Sequence, residues 1–197
     1  ASYARPGGNV TGSSFFWGDL NAKRLEFLKT LNPRLARAAV LINPDNLAMA
    51  GLLQAVEERA RALKVTLQPL NVRRLDELPA AFQVAKKQAE ALTVPEDGLF
   101  LSNVGRLADL ANRNRLPSIG FRAYCEAGGL MAYGVDFPYI WRQGAVLVDK
   151  ILKGAKPADL PIQQATRFEL VINIKTARAF GLTIPTELQV RADQLVE

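Results

Sequence analysis

Three short segments concentrate the side chains that could do chemistry: Asn43-Pro44-Asp45-Asn46, Pro95-Glu96-Asp97-Gly98 and Gly120-Phe121-Arg122-Ala123-Tyr124. Between them they hold two amides (Asn43, Asn46), three carboxylates (Asp45, Glu96, Asp97), one guanidinium (Arg122) and two aromatic rings (Phe121, Tyr124). That set suits recognition of a small zwitterion. A carboxylate meets its ammonium, Arg or helix N–H groups meet its carboxylate, and a ring face meets its side chain. It does not suit catalysis. The 197-residue chain has no histidine, which removes imidazole acid–base chemistry and the Ser-His-Asp triad. One cysteine, Cys125, permits neither an intrachain disulfide nor a cysteine-based zinc site. No nucleophile stands beside an acid–base pair, and neither G-x-G-x-x-G nor a Walker A motif occurs. The expectation is a binding protein rather than an enzyme, with no metal and no cofactor.

Each of these residues also has a simpler reading. Asn43 and Asp45 are good helix caps. Glu96 and Asp97 precede a helix, where negative charge is favoured without any ligand. Phe121 and Tyr124 suit a core or cleft wall better than a stacking platform.

The elements that would position these segments follow from hydrophobic patterning. AAVLI (38–42), VTLQPL (65–70), ALTV (91–94), LPSIGF (116–121) and LMAY (130–133) are short apolar runs, and helical patterns separate most of them. Unbroken apolar runs belong to strands buried on both faces, and alternation with helices makes βαβ crossovers. The spacing predicts a helix from Asp19, as its cap, to Leu31, with Leu20, Arg24, Leu28 and Leu31 on one face. Further helices are expected up to Leu63, along Leu75–Ala89, and from Leu99 to Asn114. The fold class is therefore α/β, a Rossmann-like parallel sheet with helices on both faces. In such a sheet ligands bind outside the carboxyl ends of the strands, where the three segments fall. After Tyr133 the pattern changes. Asp136 caps a helix from Phe137 to Leu152, with Ile140, Gly144, Leu147, Val148 and Ile151 as its apolar face. A proline-bearing connector, the strand FELVIN (168–173) and a short helix stopped by Gly181 follow; the tail after it stays unassigned.

Twenty-five Lys and Arg against 19 Asp and Glu give a net charge of +6. The basic residues are scattered singly or in pairs without interleaved aromatics, so no nucleic-acid partner is expected. No apolar run approaches the ~20 residues of a membrane-spanning helix. No signal peptide is visible, and a start at Ala1 fits a mature or truncated product.

Several stretches together resemble one family: ARPGGNVTG (4–12), AKRLEFLKTLNP (22–33), AAVLINPDN (38–46), EAGGLMAYGVD (126–136), the run from Val148 to Pro185, and RADQLVE (191–197). The resemblance is to ABC-transporter substrate-binding proteins of the tryptophan/tyrosine type. It implies a type I periplasmic-binding-protein fold, in which two lobes joined by crossovers close on a small solute by hinge motion. It also implies delivery to a membrane permease, and a periplasmic or lipid-anchored location. It divides the chain into 1–16 (end of lobe one and crossover), 17–131 (lobe two), 132–160 (return crossover and lobe-one helix) and 161–197 (return to lobe two), with most of lobe one missing. An incomplete lobe is expected to self-associate. Carried over by position, the pocket takes Asn43, Asp45, Asn46, Glu96, Asp97, Phe121, Arg122 and Tyr124. Ser13, Ser14, Tyr133 and Asp136 become hinge or cleft residues. The family pattern departs at Pro95, Glu96 and Gly98, which bears on ligand preference. The competing reading is a ligand-sensing effector domain of a transcription regulator, which shares the fold.

Overall fold

The computed structural model describes residues 2–197. In chain order the elements are β1 (Ser13–Ser14), α1 (Trp17–Leu31), β2 (Arg37–Ile42), α2 (Met49–Ala62), β3 (Thr66–Asn71), α3 (Leu78–Gln88), β4 (Ala91–Thr93), α4 (Gly98–Leu101), α5 (Val104–Arg113), β5 (Ser118–Gly120), α6 (Arg122–Glu126), β6 (Met131–Val135), α7 (Phe137–Leu152), β7 (Gln163–Gln164), β8 (Phe168–Asn173), α8 (Ile174–Phe180), α9 (Thr186–Arg191) and β9 (Gln194–Val196). The chain forms two compact units and passes between them after Phe16, after Gly134 and after Phe168.

The larger unit, residues 17–134 and 169–197, is built on a seven-stranded sheet in the order β3-β2-β4-β5-β6-β8-β9. The first five strands run parallel. Strand β8 runs against β6, since Asn173 N–H donates to Leu130 O while Asp136 N–H donates to Arg167 O. Strand β9 then runs parallel to β8. The sheet is thus parallel through five strands and reversed at the last two, an arrangement common at the edge of doubly wound sheets. From Ala38 onward every residue of β2 is buried, as all-apolar sequence on a doubly covered strand requires. Pro69, which has no N–H for a ladder, sits in β3 at the sheet edge.

Two helices differ from their sequence expectation. Helix α1 begins at Trp17, so Asp19 lies in its first turn and not at its cap. There its charge still favours the helix N-terminus. The helix expected over Leu99–Asn114 is broken into α4 and α5. Ser102 Oγ donates to Gly98 O and Asn103 Nδ2 to Leu99 O, and Asn103 leaves helical geometry at φ −135°. Short polar side chains that bond nearby backbone groups compete with helix propagation at just such points.

The smaller unit, residues up to Phe16 and 135–168, contains the two-stranded parallel pair β1–β7 and helix α7. Asp136 caps α7 as its sequence suggests, accepting from Tyr139 N–H at 2.9 Å. Of the expected apolar face of α7 only Leu147 is buried.

Candidate functional site

The carboxyl edge of the larger sheet brings two of the three sequence segments together. Strands β2 and β4 pair with Ala38 opposite Ala91 and Val40 opposite Thr93. Continuing that register brings Asn43 level with Glu96, so the two loops emerge side by side. Asp97 is their meeting point. Its Oδ1 accepts from Asn43 Nδ2 at 3.0 Å and from Leu99 N–H at 2.9 Å, and its Oδ2 accepts from Asn46 Nδ2 at 2.8 Å. One carboxylate therefore caps α4 and ties the β2 loop to the β4 loop. Asn43 Oδ1 and Asn46 Oδ1 in turn accept from Asp45 N–H and Ala48 N–H, which fixes the amides so that their N–H groups face Asp97. Asp97 is only 5% exposed. A carboxylate at this depth, ringed by oriented amides, can hold a solute ammonium by a charge-assisted hydrogen bond. Asp45 lies farther out, exposed, and pairs with Arg73 at 3.1 Å.

Glu96, although adjacent, faces the opposite way. Both its oxygens meet the Arg24 guanidinium, and Oε2 also accepts from Trp17 Nε1 at 3.2 Å. Arg24 is completely buried. It donates further to Tyr133 O (2.8 Å), Asn21 Oδ1 (2.8 Å) and Val94 O (3.2 Å), so each guanidinium nitrogen is bonded. That cluster of Trp17, Asn21, Arg24 and Glu96 is absent from the pocket expected from sequence except for Glu96. The available signal was Arg24 itself, a charge on the otherwise apolar stripe of α1, which needs a buried partner.

The third segment turns inward. Phe121 is buried, and Tyr124 lies wholly within the core, its hydroxyl 2.6 Å from Ser118 Oγ. Burial pushes the Tyr124 pKa well up. Neither ring offers a face to solvent. Arg122 is partly exposed and engaged by Glu126 Oε1 (2.7 Å), Glu169 Oε2 (2.6 Å) and Gln194 Oε1 (2.7 Å). The bond with Glu126 raises its pKa above the ordinary value. Tyr133 is half-buried, its ring 4.8 Å from that of Phe27, and burial raises its pKa.

In the smaller unit, Ser14 O accepts from Ala165 N–H in the β1–β7 pair. Ser13 lines a hollow of about 360 Å³ with Tyr139, Gln143 and Thr166, and its buried Oγ has no hydrogen-bond partner among the described residues. Among the described residues no group of His, Cys, Asp and Glu is arranged to hold a metal ion, and no helix is long and apolar enough to cross a membrane.

An α/β unit with oriented polar groups on its carboxyl edge, joined by three crossovers to a second unit, has the organisation of the type I periplasmic-binding-protein class. The sequence matches the family model for ABC transporter substrate-binding proteins over residues 1–196, and the chain belongs to that family. A tyrosine-binding protein of Clostridioides difficile is 25% identical over 92% of the chain, and the chain spans about half (52%) of that relative's length. A solved structure from Streptococcus pneumoniae, described as an ABC domain in complex with L-Trp, superposes with a TM-score of 0.89 at 25% identity, covering 100% of this chain and 68% of that one. A LacI-family transcriptional regulator from Bifidobacterium animalis shares the fold, with a TM-score of 0.61 at 14% identity over 82% of this chain and 62% of its own.

Proposed function

We propose that the chain is the solute-capturing component of an ABC importer and takes an amino acid or a related aromatic zwitterion. The observation that carries this reading is the Asn43–Asp97–Asn46 cluster. It is a shielded carboxylate with aligned amides on the edge where doubly wound sheets bind ligands. Relatives described as binding tyrosine and L-Trp support the same solute class. In this reading Asp97 receives the solute ammonium and Asn43 and Asn46 orient it. Asp45 lies at the rim, and Ser13, Ser14, Tyr133 and Asp136 flank the crossovers. Glu96, Arg122, Phe121 and Tyr124 serve to hold the site's walls. The protein works outside the cytoplasm, free or lipid-anchored, and hands its solute to a membrane permease without chemical change.

A thermal-shift screen of the chain against amino acids, aromatic acids and sugars tests this. A ligand at a hundredfold excess over its Kd stabilises the native state by about 2.7 kcal/mol. A saturable shift with an amino acid, without turnover, is the expected result. No shift with any amino acid contradicts the proposed solute class.

A further inference from the structure

The Arg24–Glu96 pair holds more of the molecule than its two residues. Trp17 is the first residue of the larger unit after the chain enters it, and Tyr133 stands one residue before Gly134, where the chain leaves. Arg24 Nε binds the Tyr133 carbonyl at 2.8 Å, and Glu96 Oε2 binds the Trp17 indole at 3.2 Å. Asn21 closes the ring, donating to Trp17 O at 2.9 Å while accepting from Arg24 Nη1 at 2.8 Å. The same Glu96 is peptide-bonded to Asp97, the carboxylate that gathers Asn43 and Asn46. Two crossovers and the loop of the candidate solute site therefore end on one buried ion pair.

We propose that the Arg24–Glu96 pair is a positioning element that fixes the first two crossovers to the Asp97 loop, so that solute contact at the loop and movement at the crossovers are mechanically joined. The proposal rests on the reading of the Asp97 loop as the solute site. Its physical basis is direct. A buried guanidinium with every nitrogen bonded has one geometry, and leaving either charge unpaired in the interior is strongly unfavourable. The groups it holds are consequently fixed relative to one another. A flexible polar contact at the surface would not do this. The third crossover has a weaker counterpart, in which half-exposed Arg122 binds Glu169, the first residue after it.

The test is amide hydrogen exchange on the solute-free protein, followed in peptides covering 15–21, 131–136 and 37–42. The double variant Arg24→Met/Glu96→Gln removes both charges at similar volume and avoids a lone buried ion. Trp17→Phe removes the indole donor while keeping an aromatic ring in place. The double variant is expected to exchange at least tenfold faster in 131–136 while the β2 peptide 37–42 stays within twofold of the original. Trp17→Phe is expected to speed exchange in 15–21 alone. Unchanged exchange at both crossovers, or acceleration shared equally by 37–42, overturns the proposal, because a merely structural pair would loosen the whole unit together. If the double variant fails to fold, Trp17→Phe decides by the same criteria. No solute enters the measurement. Crossovers that loosen in the variants as expected, in a protein that binds no amino acid, would remove the solute reading and leave the anchoring intact.

Discussion

Cys125 shows how burial sets chemistry at the scale of a single residue. Its Sγ lies in the core near Leu130 O and Val171 O, and its pKa is pushed up from 9.0 to about 12, chiefly by burial and next by the Glu126 carboxylate. The thiol is therefore poorly suited to act as a nucleophile. The folded pKa lies above the unfolded one, so the contribution to stability is complete below about pH 9 and is lost as pH rises toward about 12. Urea midpoints measured from pH 8 to 10.5 are expected to fall more steeply for the original protein than for Cys125→Ala; parallel curves would refute this. Asp97 is set by its partners, with both carboxylate oxygens accepting hydrogen bonds from neighbouring groups. Asp97→Ala removes the α4 cap and frees Asn43 and Asn46, with an expected cost of about 1–2 kcal/mol in chemical denaturation. Asp97→Asn keeps a capping oxygen and is expected to cost less.

At the scale of elements, the turn from α6 into β6 depends on the absence of side chains. A Cβ at Gly129 would stand 2.3 Å from Tyr124 Cε1, and one at Gly120 would stand 2.8 Å from its Cδ1. The Tyr124 ring is thus seated between two glycines, with its hydroxyl on Ser118. Gly129→Ala is expected to destabilise by about 1–3 kcal/mol through overpacking, read from a lowered denaturation midpoint at unchanged slope. A neutral outcome would mean that the ring has room to move. Strands β2 and β4 were legible because their apolar runs are unbroken, whereas the short strands β7 (Gln163–Gln164) and β9 (Gln194–Val196) carry no such run and were not. Residues 38–42 could face solvent on neither side, and FELVIN needed no context. Cap residues such as Asp136 and Gly181 also kept their sequence meaning. Gly181 does so in the left-handed region, at φ 69°. What stayed hidden was pairing across distance. Nothing local says that Asn43 and Asp97, 54 residues apart, share a hydrogen bond. Nor does anything local say that Glu96 belongs to Arg24 while its neighbour Asp97 faces the amides. The polar segments were correctly placed on one sheet edge by topology. Which residue of each pair faces outward depended on partners that a single strand pattern does not encode. Tyr124 escaped for a related reason, since an aromatic after a strand has the same pattern whether it lines a cleft or fills a core.

At the scale of the whole molecule, the smaller unit leaves much apolar surface uncovered. Trp141 is 69% exposed and Leu152 82% exposed on α7, with Val146 and Val148 between them. Exposed apolar surface on this scale drives association. Light scattering is expected to show concentration-dependent oligomers, and Trp141→Lys/Leu152→Lys is expected to shift them toward monomer; a strictly monomeric chain at all concentrations would count against self-association. The larger unit does not depend on that outcome, because its sheet, buried ion pair and amide-ringed carboxylate are all internal to it. The central claim, solute capture at the Asp97 edge, is tested most directly by titration calorimetry of the chain and of Asp97→Asn with L-tryptophan and L-tyrosine. The account predicts saturable binding of at least one of them by the original chain, weakened at least tenfold in the variant while its melting temperature stays nearly unchanged. Equal affinity in both proteins, or no binding by the original, would contradict it.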